Sequence, residues 1–265
     1  MKDLFSIGPW ESSFYDLLAS QNPSLLPRFD IREEEEKVLK SMPRGTTVLA
    51  LKYRDGVVIA GDRLATEGYQ VSARRIEKVY KTDEHSAIAI AGVAGPCMEL
   101  ARLLQTELEH YEKLEGVALS LEGKANKLSQ MIKANFPFAL QGLVVIPIFA
   151  GYDLKRGEGK IYKYDLTGGR YEETDYHATG SGGREARATL KRLFKKEMKE
   201  DEALRGAKEA LLDASEEDLG TAGPDILRDI YPTTKKVTRE GILELDEFQI
   251  KSICQAIMEE RKGLR

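Results

Sequence analysis

Arg44-Gly45-Thr46-Thr47-Val48-Leu49-Ala50-Leu51-Lys52-Tyr53 is where this chain changes character. Before it, residues 1–45 scatter Trp10, Phe14, Leu17, Leu18, Leu25 and Leu26 among Pro9, Pro23 and Pro27. The run Glu33-Glu34-Glu35-Glu36 follows, a solvated helical turn or two that should end before Pro43. This stretch reads as a detachable leader, with apolar surface for docking but no core of its own. Residues 46–265 read as one complete domain. Cutting the Gly45–Thr46 bond would leave one residue carrying a hydroxyl nucleophile and a free α-amine that can serve as its base.

The 265 residues allow one large domain, and 42% hydrophobic with 32% charged content predicts a sizeable core under a charged surface. A net charge of −4 without a strongly basic stretch speaks against nucleic acid. Cys97 and Cys254 are far apart and fit no metal spacing, so free buried thiols in a reducing compartment are expected, with no metal and no cofactor. No basic region leads into an apolar stretch at the start, so no secretory signal is read. The longest apolar run, Gly142 to Ala150, has the length of a buried strand rather than of a membrane span. A cytoplasmic protein without membrane contact is expected.

After Thr46, Thr47–Tyr53 is a strand, Arg54-Asp55-Gly56 a turn and Val57–Ala60 the return strand, apolar enough for burial on both faces. Residues 69–80 read as two short strands and Ile88–Ala91 as a buried strand ended by Gly92. Met98, Ala101, Leu104, Leu108 and Tyr111 recur at helical spacing, and a second helix runs from Leu121 to about Ala134. Strands are expected at Leu143–Tyr152, Lys160–Asp165 and Tyr176–Thr179, then helices at Gly183–Glu200 and Asp201–Ser215. Strands around Lys235–Leu245 and a helix at Asp246–Lys262 close the chain. Helix pairs between runs of antiparallel strands predict an α+β, four-layer αββα sandwich.

Taken singly, the polar residues are unremarkable in kind. Asp62 follows a strand like any turn carboxylate, Lys78 reads as a surface lysine, and Gly92 as a strand terminator. Together, GTTVLALKYRDGVVIAGDRLAT, RIEKVYK and IAIAGVAG resemble the catalytic β-subunits of the 20S proteasome, which are N-terminal-nucleophile hydrolases. GLVVIPIFAGYD, ATGSGG and EEDLGTAGPDILRDIYPT resemble the bacterial, actinobacterial-type members. The resemblance covers essentially all of residues 46–265.

The resemblance implies a threonine endopeptidase made as an inactive precursor, with residues 1–45 as propeptide and autocleavage between Gly45 and Thr46. It implies Thr46 as nucleophile, Asp62 and Lys78 as the supporting pair, and the Gly92 N–H as oxyanion donor. Ser181, Asp218 and Thr221 match the supporting polar network, with threonine at 221 where the family often has serine. Ala65, Ile76, Ile90 and Ala94 would line the pocket for the residue before the scissile bond, and Thr66 would bind substrate backbone. Four apolar walls would favour cleavage after apolar residues, because a charge there loses hydration without a partner. The physics of the site agrees: an α-amine titrates near ~8, close to the working pH of a general base. A nearby cation would lower its pKa further, and Asp62 would compensate that cation's burial. The implied partners are a homo-heptameric β-ring, α-type ring subunits, an ATPase or other activator cap, and polypeptide substrates.

Three other readings share some of these residues. A simpler two-ring bacterial threonine protease starts almost directly at its threonine and lacks an extended C-terminal region. Another N-terminal-nucleophile amidase would be a monomer or dimer. A catalytically silent structural ring subunit would lack the Gly–Thr junction and the aspartate–lysine pair, all of which this chain has.

Overall fold

The structure, a computed structural model, describes residues 45–67 and 70–263 together with Asn22. The leader's apolar residues and the Glu33–Glu36 run therefore lie outside the described residues, whereas the Gly45–Thr46 junction lies within them. Strands β1 (Thr47–Tyr53), β2 (Gly56–Gly61), β3 (Ala65–Glu67), β4 (Gln70–Ala73), β5 (Val79–Asp83) and β6 (Ser86–Gly92) come first. Helices α1 (Ala94–Glu115) and α2 (Leu121–Leu140) follow, then β7 (Val145–Asp153), β8 (Glu158–Tyr164), β9 (Arg170–Glu173) and β10 (Tyr176–Gly180). Next come α3 (Gly183–Leu193), α4 (Glu200–Glu217), β11 (Thr233–Thr238), β12 (Gly241–Glu244) and α5 (Glu247–Gly263). One sheet has the order β10-β1-β2-β11-β12 and the other β5-β6-β7-β8-β9, both antiparallel, with β3 and β4 as a separate ribbon. This is the expected four-layer α+β sandwich. Among the described residues, no helix is long and apolar enough to cross a membrane.

Strand alternation builds the layers. On β1, Leu49, Leu51 and Tyr53 pack outward against α3, α4 and α5, while Val48 and Ala50 face the other sheet. On β6, Ile88 and Ile90 pack outward against α1 and α2, while Ala87, Ala89 and Ala91 face inward. Large residues thus fill the sheet–helix layers, where each contributes about 1.5–3 kcal/mol on burial. Between the sheets, alanines such as Ala50, Ala87 and Ala89 pack with branched residues such as Val48, Ile59, Ile148 and Ile161. The unbroken apolar runs follow from having one buried face toward each layer.

Several boundaries differ from the sequence reading. The helix expected over Gly183–Glu200 stops at Leu193, because Phe194 takes an extended conformation (φ −63°, ψ 133°). Its ring packs on Tyr176 at 5.5 Å between centroids, and Met198 turns back into the core. Residues 69–80 hold β4 and the start of β5, whereas β3 lies earlier and β9 was not foreseen. Helix α2 runs on to Leu140 with Pro137 inside it. Met98 and Tyr111, placed on the apolar stripe of α1, are both 37% exposed. Cys97 and Cys254 are free and buried.

Candidate active site

At one end of the sandwich the start of β1, the end of β6 and the end of β10 meet, and Thr46 sits among them. The backbone places it: the Ser181 N–H donates to the Thr46 carbonyl at 2.9 Å, and Thr47 is in register with Gly180. Thr46 is only 6% exposed.

Asp62 follows β2 directly, so its carboxylate is delivered to the mouth of that strand. It is fully buried and saturated with donors. Oδ1 accepts from Lys78 Nζ at 2.7 Å and from the Thr47 N–H at 2.8 Å. Oδ2 accepts from the N–H groups of Leu64 at 2.9 Å and Ala222 at 3.2 Å. These four donors fill the lone-pair sites that a carboxylate offers.

Lys78 is equally saturated. Besides Asp62, its Nζ donates to the Leu64 carbonyl at 2.6 Å and to the Gly45 carbonyl at 3.1 Å, which accounts for all three protons of an ammonium. Burial pushes its pKa down, and Asp62 opposes that shift. The Thr46 hydroxyl also donates to the Gly45 carbonyl oxygen. The carbonyl of the Gly45–Thr46 peptide is thus held between a hydroxyl and an ammonium. Gly45 itself has φ +94°, and an added Cβ would lie 2.7 Å from Thr66 Oγ1 and 2.8 Å from the Gly220 carbonyl oxygen. Only glycine fits this conformation and this space.

A second network approaches from the other side. Asp218 Oδ2 accepts from the hydroxyls of Ser181 and Thr221, each at 2.5 Å. Thr221 spends its one proton on Asp218, so the 2.5 Å contact between the Thr221 and Thr47 hydroxyls is donated by Thr47. Thr47 Oγ1 in turn accepts from the Gly182 N–H at 3.1 Å. The protons all point toward the carboxylate. Ser181, its own proton committed to Asp218, accepts from the Thr46 N–H at 3.4 Å.

Thr46 and Gly45 border two cavities. One, narrow at about 20 Å³, is lined by the expected Ala65, Ile76, Ile90 and Ala94, together with Lys78 and Gly92. The sequence reading missed Glu77, Tyr80, Cys97 and Met98, which line it too. Glu77 is already engaged, accepting from the Val79 N–H at 3.1 Å and the Thr233 hydroxyl at 3.2 Å. Tyr80 donates to the Glu77 carbonyl at 2.6 Å. Burial pushes the Cys97 thiol up to about 12, so it is a neutral wall group. Helical spacing could have found Cys97 and Met98, three and four positions after Ala94. Strand alternation could have found Tyr80, two positions after Lys78. The second cavity, about 270 Å³, lies on the other side of Thr46 against Gly92, Val144 and Ser181. Gly92 has φ +137°, and a Cβ on it would run into the Val144 carbonyl oxygen, so only glycine brings this backbone so close.

The structure therefore brings Thr46, Asp62, Lys78, Gly92, Ser181, Asp218 and Thr221 to one place, although Thr221 is 174 residues from its partner Thr47. Thr47 was absent from the sequence reading of the site.

The model of the proteasome subunit family matches residues 42–226. Proteasome subunit beta 2 of Thermomonospora curvata is 45% identical over 260 residues, covering 98% of this chain and 92% of that protein. A proteasome subunit beta of Acidimicrobium ferrooxidans is 53% identical over 213 residues, covering 80% and 78% of the two chains. That of Streptomyces griseus is 46% identical over 253 residues, covering 96% and 90%. A family match over most of the domain and relatives aligned over nearly the whole chain place this protein in the proteasome subunit family, among its β-type members.

Proposed function

We propose that Thr46 is the nucleophile of this proteasome-type threonine peptidase, acting first on its own Gly45–Thr46 bond and then on polypeptides. The observation that carries the reading is the convergence of the Thr46 hydroxyl and Lys78 Nζ on the Gly45 carbonyl. In self-cleavage the hydroxyl oxygen adds to that carbonyl carbon and the C–N bond breaks. The proton passes to the leaving nitrogen, and water hydrolyses the resulting ester. Residues 1–45 depart as the propeptide, and the freed α-amine of Thr46 becomes the base for the next reaction. Ser181 holds that nitrogen and Asp218 orients Ser181. The Gly92 N–H receives the oxyanion, a role worth about 3–4 kcal/mol of barrier for one donor. Ala65, Ile76, Ile90 and Ala94 form the pocket for an apolar residue before the bond, with Thr66 holding substrate backbone.

The chain works within a proteasome particle alongside α-type subunits. We read the finer assembly as two β-rings of seven, capped by α-rings and served by an ATPase or similar activator in the cytoplasm. The deciding experiment is Thr46→Ala in the assembled particle. The leader should stay attached and peptide hydrolysis should vanish; normal trimming in a pure Thr46→Ala assembly would overturn self-cleavage. The leader's part in assembly is separable. Replacing Trp10, Phe14 and Leu17 by Ser should slow particle formation while the uncleaved chain stays inactive.

A further inference from the structure

Strand β6 carries successive residues into two different layers, and this has a consequence at its end. Ile90 faces the helices and lines the narrow cavity read above as the pocket before the scissile bond. Ala91 faces the opposite sheet and lines the larger cavity. Its cross-strand partner is Ile146, which therefore shares the inter-sheet face, while Val145 pairs with Gly92 and packs toward the helices. Gly92, Gly45 and Thr46 border both cavities. A peptide bond held at Thr46 with its oxyanion on Gly92 thus has one cavity on each side of the strand end. If the residue before the bond enters the helix-facing cavity, the chain continuing past the bond emerges toward the inter-sheet one.

We propose that the cavity of about 270 Å³ between the two sheets receives the residue that follows the scissile bond, and that its walls select an uncharged, branched aliphatic side chain there. The proposal rests on the reading of Thr46 as nucleophile. The walls are Ala91, Val93, Val144 and Ile146, with the hydroxyls of Thr179 and Ser181 at the rim. Among the described residues, no charged side chain lines the cavity, so a lysine or glutamate entering it loses hydration and gains no partner there. The Ser181 hydroxyl is already directed to Asp218, which leaves it no proton for an incoming carboxylate. Gly92 and Gly142 add backbone but no side chain to the lining.

The test uses mature particles assembled from the full chain and its α-type partner. The substrates are peptides that differ only in the residue after one apolar cleavage site: Leu, Lys or Glu. Cleavage at that bond is followed by mass spectrometry. The wild type should prefer Leu by about tenfold or more in kcat/KM, the discrimination a single apolar contact supports. Ile146→Glu should lower the Leu peptide and raise Lys relative to Leu by about tenfold, through charge complementarity. Val144→Glu serves the same purpose should Ile146→Glu fail to assemble. A wild type indifferent among the three peptides overturns the proposal, as does a Lys:Leu ratio left unchanged by whichever variant assembles. Failure of the underlying reading is seen separately, as peptide hydrolysis by Thr46→Ala particles whatever the ratios.

Discussion

Lys78 Nζ lies 3.1 Å from the carbonyl oxygen of Gly45, on the bond proposed above for self-cleavage, with its other two protons committed to Asp62 and the Leu64 carbonyl. In the uncleaved chain the lysine is thus placed to polarise the scissile carbonyl, and the loss of Gly45 would leave that proton free to face Thr46. The two members of the buried pair are not equivalent, and their substitutions should differ.

Lys78→Met should abolish peptide hydrolysis yet leave a folded chain, because Asp62 keeps the N–H groups of Thr47, Leu64 and Ala222. Asp62→Asn should also abolish activity and melt lower than Lys78→Met. Its amide would turn a donor toward backbone donors and leave Lys78 buried without its counter-charge, a loss of roughly 3–5 kcal/mol. Thermal melts of the two variants check the order. Near wild-type turnover in Lys78→Met would remove the lysine from the mechanism.

Gly45→Ala should retard leader removal by at least about tenfold, since the left-handed backbone alone costs an L-residue roughly 1–2 kcal/mol before the contacts with Thr66 and Gly220 are relieved. The measurement is the fraction of trimmed chain against time after assembly. Trimming at the wild-type rate would show that the conformation seen at Gly45 is not the one that reacts.

Thr47 is fully buried and stands first in a chain of two hydroxyls, its own and that of Thr221, ending on Asp218. Thr47→Val keeps the shape but leaves the Gly182 N–H without its acceptor and Thr221 without its donor. A lost buried hydrogen bond costs about 1–3 kcal/mol, so kcat should fall by about tenfold with KM little changed. Thr47→Ser should restore it. Equal kcat in the valine and serine variants would make Thr47 a packing residue only.

Lys208, on α4 beside Cys254, is buried, and among the described residues its Nζ has no hydrogen-bond partner. Burial pushes its pKa down to about 8. Unfolded chain keeps the proton up to the ordinary lysine range, so between pH 8 and that range the unfolded state binds more protons and stability rises with pH. Below pH 8 the buried charge is present in full. Lys208→Met should therefore stabilise the subunit, by about 3 kcal/mol at neutral pH for a shift of this size, with the advantage shrinking toward pH 10. Denaturation at both pH values checks the sign; a destabilised Lys208→Met at pH 7 would show that the ammonium finds a partner.

The boundaries of β1, β2 and β6 were legible because each strand's apolar run is local and bounded by its own turn or glycine. The break at Phe194 was not, because Phe194 leaves the helix to pack on Tyr176, a residue of another element. The same division runs through the site. Thr46, Asp62, Lys78 and Gly92 lie within one stretch of three hairpin-linked segments, and it was the resemblance of that stretch to a known family, not any of the last three taken singly, that gave them their expected roles. Ser181, Asp218 and Thr221 could be named by resemblance, but the direction of their protons could not.

By itself the sequence determined the buried strand that follows Gly45 and Thr46 and, through the resemblance of its motifs to a known family, which residues to seek around Thr46. Tertiary structure alone decided that Thr47 completes the hydroxyl chain. It also decided that Glu77 borders the narrow cavity with its carboxylate already engaged, and that Ala91 and Ile146 line a second one. The reason is geometric. Alternation along a strand says which residues share a face, but which face meets helix and which meets sheet is settled only when the two sheets stack.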